Sequence, residues 1–345
     1  MRSVAVVKPN RIELVDIPEP EPGPYEIRIK TEISYICNAT DRKLIQGHFP
    51  GVDTYPLLLG HESAGIVDAL GDKVRHYEIG QRVIGGLLLN TPDPAYASGW
   101  GGMSEYVLAT DNLAMEEDGL GDTEHGWDEL YQVQRSVPPD ISVEDAGLLC
   151  TWREVYAGFS DFQLKKEDSL LVFGAGPVGM SFVRFARLLG MGYIGCVDPV
   201  AEKREKALSL GADEAFSPDD GALQGLADIR GEKLDAVIDA VGREEIINAS
   251  LPLVTMGAKI CVYGVIDKPV ISVEKHAGPY NFNLLIHQWP TRIWEAEAQE
   301  PLCGWIREGV LGYRDFLSKE FRVDEVQEAF DAAKSALHVK TLLRW

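Results

Sequence analysis

The sequence has no run of apolar residues approaching the roughly 20 needed to cross a bilayer. Its beginning, Met1-Arg2-Ser3-Val4, passes straight into strand-like alternation without the pattern of a secretory leader, so the cytoplasm is the expected location. Paired cysteines are also missing. The five thiols, at 37, 150, 196, 261 and 303, are odd in number and share no close spacing, which argues against a disulfide framework and for reduced thiols. Basic residues are few: 33 Lys and Arg against 54 Asp and Glu leave a formal net charge of -21. Such a surface repels phosphate backbones and anionic lipid, so neither nucleic acid nor a membrane is an expected partner. Internal repeats and low-complexity tracts are absent.

What is present has the size and order of two domains: 345 residues is more than one core usually holds. Up to about residue 110, short β-rich runs alternate with turn clusters such as Pro18-Glu19-Pro20-Glu21-Pro22-Gly23-Pro24, the pattern of an antiparallel, barrel-like unit. From about 160 to 290, apolar strands (Leu170 to Phe173, Ile194 to Val197, Ala236 to Ile238, Ile260 to Tyr263) alternate with helix-period segments (Gly179 to Leu189, Glu202 to Leu210), which predicts a parallel sheet with crossover helices. A helical segment over Val323 to Lys334 and a last strand over Lys340 to Leu343 are expected to return to the first unit. The resulting division is 1–155 and 291–345 for one domain and 156–290 for the other. An acidic, turn-rich stretch near 111–134 fits neither pattern and reads as a surface insertion, more simply a solvated loop than a lid.

Two clusters carry chemistry. Gly60-His61-Glu62-Ser63-Ala64-Gly65, with Cys37 in a polar turn before it, assembles the thiol, imidazole and carboxylate of an open, catalytic zinc site. Gly174-Ala175-Gly176-Pro177-Val178-Gly179 follows the strand Ser169-Leu170-Leu171-Val172-Phe173 and opens a helix, the context in which glycines allow a tight turn and a close approach of backbone to pyrophosphate. Asp198, nineteen residues beyond Gly179 at the end of the next strand, can accept hydrogen bonds from the adenosine ribose and would repel a ribose phosphate. Arg204 follows at some distance and joins Gly174, Gly176, Pro177, Val178, Gly179 and Asp198 as a cofactor-binding candidate. NAD is therefore the expected dinucleotide. Cys196 and Cys261 lie in apolar runs and read as core, whereas Cys37, Cys150 and Cys303 remain candidates for chemistry.

The motif Gly60 to Val67, Val74 with Gly80-Gln81-Arg82-Val83, Gly101-Gly102-Met103-Ser104-Glu105-Tyr106-Val107, the glycine loop and Leu210-Gly211-Ala212-Asp213 together make the chain resemble the medium-chain dehydrogenase/reductase superfamily, in its zinc-dependent alcohol and polyol dehydrogenase branch. The resemblance spans nearly the whole chain. It implies an α/β fold: a doubly wound Rossmann sheet that binds the dinucleotide, plus a GroES-like, mainly β catalytic domain made from both chain ends. It further implies Cys37 and His61 as zinc ligands and Glu62 as the carboxylate that ligates or sits just behind the metal. Cys150 matches the third ligand, with Glu154 as the fallback. Stretch 84–100 has no cysteine, so one zinc per chain is expected rather than a second, structural one. Cys37-Asn38-Ala39-Thr40-Asp41 is one residue longer than the usual motif, and Thr40 is the choice for the proton-relay hydroxyl, with His48 a possible end of that relay.

The implied chemistry is hydride transfer between an alcohol and NAD, with zinc as Lewis acid. Trp100, Trp152, Tyr280, Asn281, His287, Trp289 and Arg292 are aromatic or polar residues whose placement in loops would suit a polyol, a sugar or a sugar acid. A homodimer or homotetramer is expected by resemblance. Two alternatives stand beside this reading: a zinc-free quinone or enone reductase of the same superfamily, which would hold no stoichiometric metal, and a non-catalytic NAD-binding protein, which would turn over no alcohol.

Overall fold

The strand-like alternation of the N-terminal stretch becomes two mainly antiparallel sheets in a computed structural model that describes residues 1–226, 230–266, 268–335 and 337–345. The chain divides into a unit of Met1–Thr151 with Ala296–Trp345 and a unit of Trp152–Glu295, where the sequence reading divides at 155/156 and 290/291. In the first unit a seven-stranded sheet is centred on Glu26–Tyr35, which pairs with Glu62–Leu70 on one side, Lys340–Arg344 on the other, and Tyr106–Thr110 further along. Its alternate residues Ile27 and Ile29 are fully buried with Val67, Val83 and Val107, the period-2 burial of a sheet with one face on the core. The last strand is thus part of the N-terminal sheet.

One register matters most. Leu342 is opposite Tyr35, and Tyr35 is opposite Glu62, so three strands distant in sequence end side by side. Cys37 lies just past the end of one, Glu62 begins the second and Lys340 begins the third.

The second unit holds six parallel strands in the order Glu214–Phe216, Tyr193–Val197, Ser169–Phe173, Leu234–Asp239, Val254–Val262, Asn283–Ile286. With Ser169–Phe173, the unit's first strand in sequence, placed third, this is the doubly wound Rossmann order. All five residues of that strand are buried, as expected where helices cover both sheet faces.

The acidic stretch 111–134 is more ordered than a solvated loop. It forms a helix over Asn112–Glu117 and two 3-10 turns. Its ends are anchored by buried polar side chains: the Asp111 carboxylate accepts from the backbone N–H groups of Arg75, His76 and Ala114 at 2.8, 2.9 and 3.1 Å. Gln134 accepts from Thr110 N–H at 2.7 Å and donates to the Gly85 carbonyl at 3.1 Å.

Candidate metal and dinucleotide sites

At the end of the seven-stranded sheet, Cys37, His61 and Glu62 offer a sulfur, a nitrogen and a carboxylate oxygen all within 4.8 Å of one another. Gly60 sets the entry: its φ of +97° is left-handed, and a Cβ there would lie 2.3 Å from Met103 Cγ, so no other residue fits before His61. Asp41, fully buried, accepts from Cys37 N–H at 2.8 Å through one carboxylate oxygen. Its other oxygen faces His61 Nδ1 at 3.6 Å, and both of these buried atoms lack a hydrogen-bond partner. Burial pushes the Asp41 pKa up to about 7, although the neighbouring imidazole pulls it down. Unpaired polar atoms in such a position fit a site built around an ion: a metal on Nε2 would fix the tautomer that puts a proton on Nδ1, facing the carboxylate.

The fourth member was not foreseen. Lys340 is 2% exposed and its ammonium is hydrogen-bonded to Glu62 Oε2, across 278 positions of sequence. The other carboxylate oxygen, Oε1, lies 3.9 Å from His61 Nε2. Burial alone would raise the Glu62 pKa, but Lys340 and His61 outweigh it and hold the carboxyl below its usual range. Conversely, burial pulls Lys340 down, and Glu62 with Cys37 lift it above its usual value. Burial pushes the Cys37 thiol up, with the N–H and hydroxyl of Thr40 opposing the shift. A lysine that opens a strand ordinarily points to solvent, so only the long-range register reveals this one.

Cys150, on the helix Val143–Asp161, is buried with its thiol 3.8 Å from the Ser63 carbonyl, one residue past Glu62 and outside the three-residue group. Thr40 opens the helix Thr40–Gln46, and His48 stands exposed beyond its Gly47 cap. Trp100 is at the cluster: its ring meets the His61 imidazole edge-on at 5.7 Å and that of Phe49 at 5.3 Å. Its φ of +70° is rare for an aromatic residue. The other proposed substrate residues belong to the second unit. Trp152 is fully buried core. His287 faces Asp161 at 3.6 Å, and Arg292 pairs with Glu295 beneath the Trp289 ring. The Asn281 carbonyl accepts from Gly257, and Tyr280 is exposed.

In the second unit, the glycine loop joins Ser169–Phe173 to the helix Pro177–Leu189. A Cβ on Gly179 would sit 1.7 Å from the Gly174 carbonyl oxygen, which accounts for the glycine by helix–strand packing. A Cβ on Gly176 would meet nothing within 4 Å, leaving an open cradle at a helix N-terminus, where unpaired N–H groups favour a phosphate. Asp198 receives hydrogen bonds from Ala175 N–H at 2.8 Å and Val200 N–H at 2.9 Å, and Arg204 donates to its carbonyl at 2.7 Å. Asp198 therefore braces the loop, while Arg204 is tied to backbone. Asp239, also unforeseen, takes three N–H bonds from Val241, Gly242 and Arg243 at the end of the neighbouring strand.

A GroES-like unit with a sulfur, nitrogen and carboxylate cluster, joined in one chain with a Rossmann unit that has an open glycine loop, defines the class of zinc-binding, dinucleotide-dependent dehydrogenases. Family comparison agrees: residues 23–117 match the alcohol dehydrogenase GroES-like domain and residues 177–287 match zinc-binding dehydrogenase. An alcohol dehydrogenase of Cupriavidus necator is 26% identical, with 96% of this chain and 94% of that protein covered. Sorbitol dehydrogenase of Bombyx mori is 24% identical over 97% and 95%. Among solved structures, the alcohol dehydrogenase rspB of E. coli CFT073, complexed with NADH, superposes with a TM-score of 0.81 at 21% identity, covering 100% of this chain and 99% of that one. The chain belongs to the zinc-dependent alcohol and polyol dehydrogenases of the medium-chain dehydrogenase/reductase superfamily.

Proposed function

We propose that this oxidoreductase transfers hydride between NAD and an alcohol of the polyol, sugar or sugar-acid class, using one zinc ion per chain. The observation that carries the reading is the group of half-buried Cys37 and His61 with buried Glu62, and Asp41 behind the imidazole. Cys37 and His61 are the inner ligands, and Cys150 is the third, its thiol one residue along from Glu62. Zinc, when bound, supplies Lewis acidity that makes an alcohol hydroxyl easier to deprotonate. Asp41 orients His61, Thr40 passes the alcohol's proton outward in the direction of His48, and the Trp100 ring keeps water from the imidazole. Asp198 selects NAD by presenting a carboxylate where a ribose phosphate would sit.

Two thiolates and a neutral imidazole balance a divalent cation, which suits the donor set to zinc. The open sheet edge at Asn283–Ile286 supports a homodimer or homotetramer; among the described residues no helix is long and apolar enough to cross a membrane. Metal analysis together with an NAD-coupled screen of polyols, sugars and simple secondary alcohols tests the reading. One zinc per chain with NAD-linked turnover is expected. Turnover of enones or quinones without metal supports the zinc-free reductase, and cofactor binding without any turnover supports a non-catalytic protein.

A further inference from the structure

Glu62 presents two oxygens to two different cations: Oε2 is taken by Lys340, and Oε1 stands 3.9 Å from His61 Nε2, on the side of the metal-ligand group. Both ionic side chains are almost wholly enclosed, with 2% of the Lys340 side chain and 5% of the Glu62 side chain exposed. A carboxylate buried this deeply cannot stay ionised without a partner, because removing one member of a buried pair leaves an uncompensated charge in a medium that solvates it poorly. Among the described residues, two cations can meet it once His61 is held neutral by a metal: the ammonium of Lys340 and the metal itself on Cys37 and His61.

We infer that Lys340 is a positioning residue that holds Glu62 off the metal and so keeps one coordination position open for substrate. This rests on the zinc reading above. The charge count favours it. With Cys37 and Cys150 as thiolates and His61 neutral, a divalent zinc site is already electrically balanced; Glu62 as a further ligand would leave it one charge negative, whereas Glu62 paired with Lys340 adds nothing. The sheet register enforces the arrangement, since Lys340 and Glu62 begin strands on either side of Glu26–Tyr35 and neither can withdraw without breaking its pairing. Without the ammonium, Glu62 turns its charge to the metal, fills the open position and converts a catalytic site to a closed one.

The test uses the full chain with zinc or cobalt(II) bound, in four forms: wild type, Lys340→Met, Lys340→Arg and Glu62→Gln/Lys340→Met. Three readouts apply: metal per chain with its rate of release to a chelating dye, the visible cobalt spectrum with and without added azide, and NAD-linked turnover. Wild type is expected to hold one metal and to change its cobalt spectrum with azide. Lys340→Met is expected to keep its metal, release it more slowly, lose the azide response and lose about 100-fold in turnover. The double variant, which removes the unpaired charge, and Lys340→Arg, which restores a cation, should both recover the azide response and much of the turnover. A Lys340→Met protein that responds to azide as wild type does overturns the inference, as does a folded, metal-loaded double variant that stays closed. Should Lys340→Met fail to fold, the double variant and Lys340→Arg still decide between charge and packing: loss of the azide response in both overturns it. A wild type that binds no zinc is a separate outcome, which removes the metal reading itself and this inference with it.

Discussion

At the residue scale, a proposed ligand, Cys37, differs from a side chain proposed to orient one, Asp41, and the difference is measurable. Cys37→Ser replaces the thiol with a poor zinc ligand and is expected to abolish both stoichiometric zinc and turnover; a variant that keeps one zinc and wild-type turnover would remove Cys37 from the site. Asp41→Asn leaves every ligand in place but withdraws the negative charge facing His61 Nδ1 at 3.6 Å. A loss of about 10- to 100-fold in zinc affinity is expected, read by competition with a chelating dye. The same scale shows why some of the site was legible in the sequence and some was not. His61, Glu62 and Gly174 to Gly179 carry their chemistry in adjacent residues, so local motifs suffice. Asp41 lies within a motif, yet nothing local says that it faces His61. Lys340 has no local mark at all, because its burial arises from pairing with strands some 300 positions earlier. Cys150 is suggested as a ligand by its residue type and neighbours, and its thiol lies 3.8 Å from the carbonyl of Ser63, the residue that follows Glu62.

At the scale of elements, the acidic stretch shows how charge pattern and structure part company. Its composition reads as solvated, but Asp111 caps the helix Asn112–Glu117 and ties the 75–76 turn to it, with Arg75 reaching Glu117 and Asp118. Asp111→Ala is expected to cost about 1–2 kcal/mol in chemical denaturation through the lost cap and the N–H groups left unpaired. The pH dependence has a definite sign. Burial raises the Asp111 pKa, but the N–H bonds from Arg75, His76 and Ala114 outweigh it and hold the folded value below the unfolded one. The stabilisation is therefore complete above the unfolded pKa of about 3.9 and is lost as pH falls through the lower folded value. Wild type and Asp111→Ala should differ at pH 7 and converge below about pH 4; a constant difference down to pH 3 would show that the carboxylate charge is not what anchors the helix. The parallel strands, in contrast, were legible from their apolar runs, since a strand buried on both faces needs no partner's register to be recognised. The edge strand Asn283–Ile286 makes a further prediction. It pairs with Val254–Val262, and Ile286 is 47% exposed on it. If copies of the chain join at this edge, Ile286→Lys should shift light scattering from a multiple of 38.0 kDa to the single-chain mass. Wild type already at the single-chain mass would refute the edge as an interface.

At the scale of the whole molecule, the two sites draw on separate stretches of chain, and ligand linkage turns that separation into an observable. Cys37, His61, Glu62 and Lys340 all belong to Met1–Thr151 with Ala296–Trp345, whereas the glycine loop and Asp198 belong to Trp152–Glu295. A ligand stabilises the state that binds it by RT ln(1 + [L]/Kd), about 2.7 kcal/mol at a hundredfold excess over Kd, or about 100-fold in the exchange of amides that open with that unit. Hydrogen exchange of the holoprotein should therefore respond by segment. Chelating the metal is expected to speed exchange in Glu62–Leu70 and Lys340–Arg344, whose first residues meet at the site, while Ser169–Phe173 and Tyr193–Val197 stay protected. Adding NADH to the metal-free protein is expected to slow exchange across Pro177–Leu189 and the strands that flank the glycine loop. If chelation instead deprotects the parallel sheet to the same extent as the antiparallel one, the units open together, and the metal stabilises the chain as one cooperative block rather than the sheet end where its ligands converge.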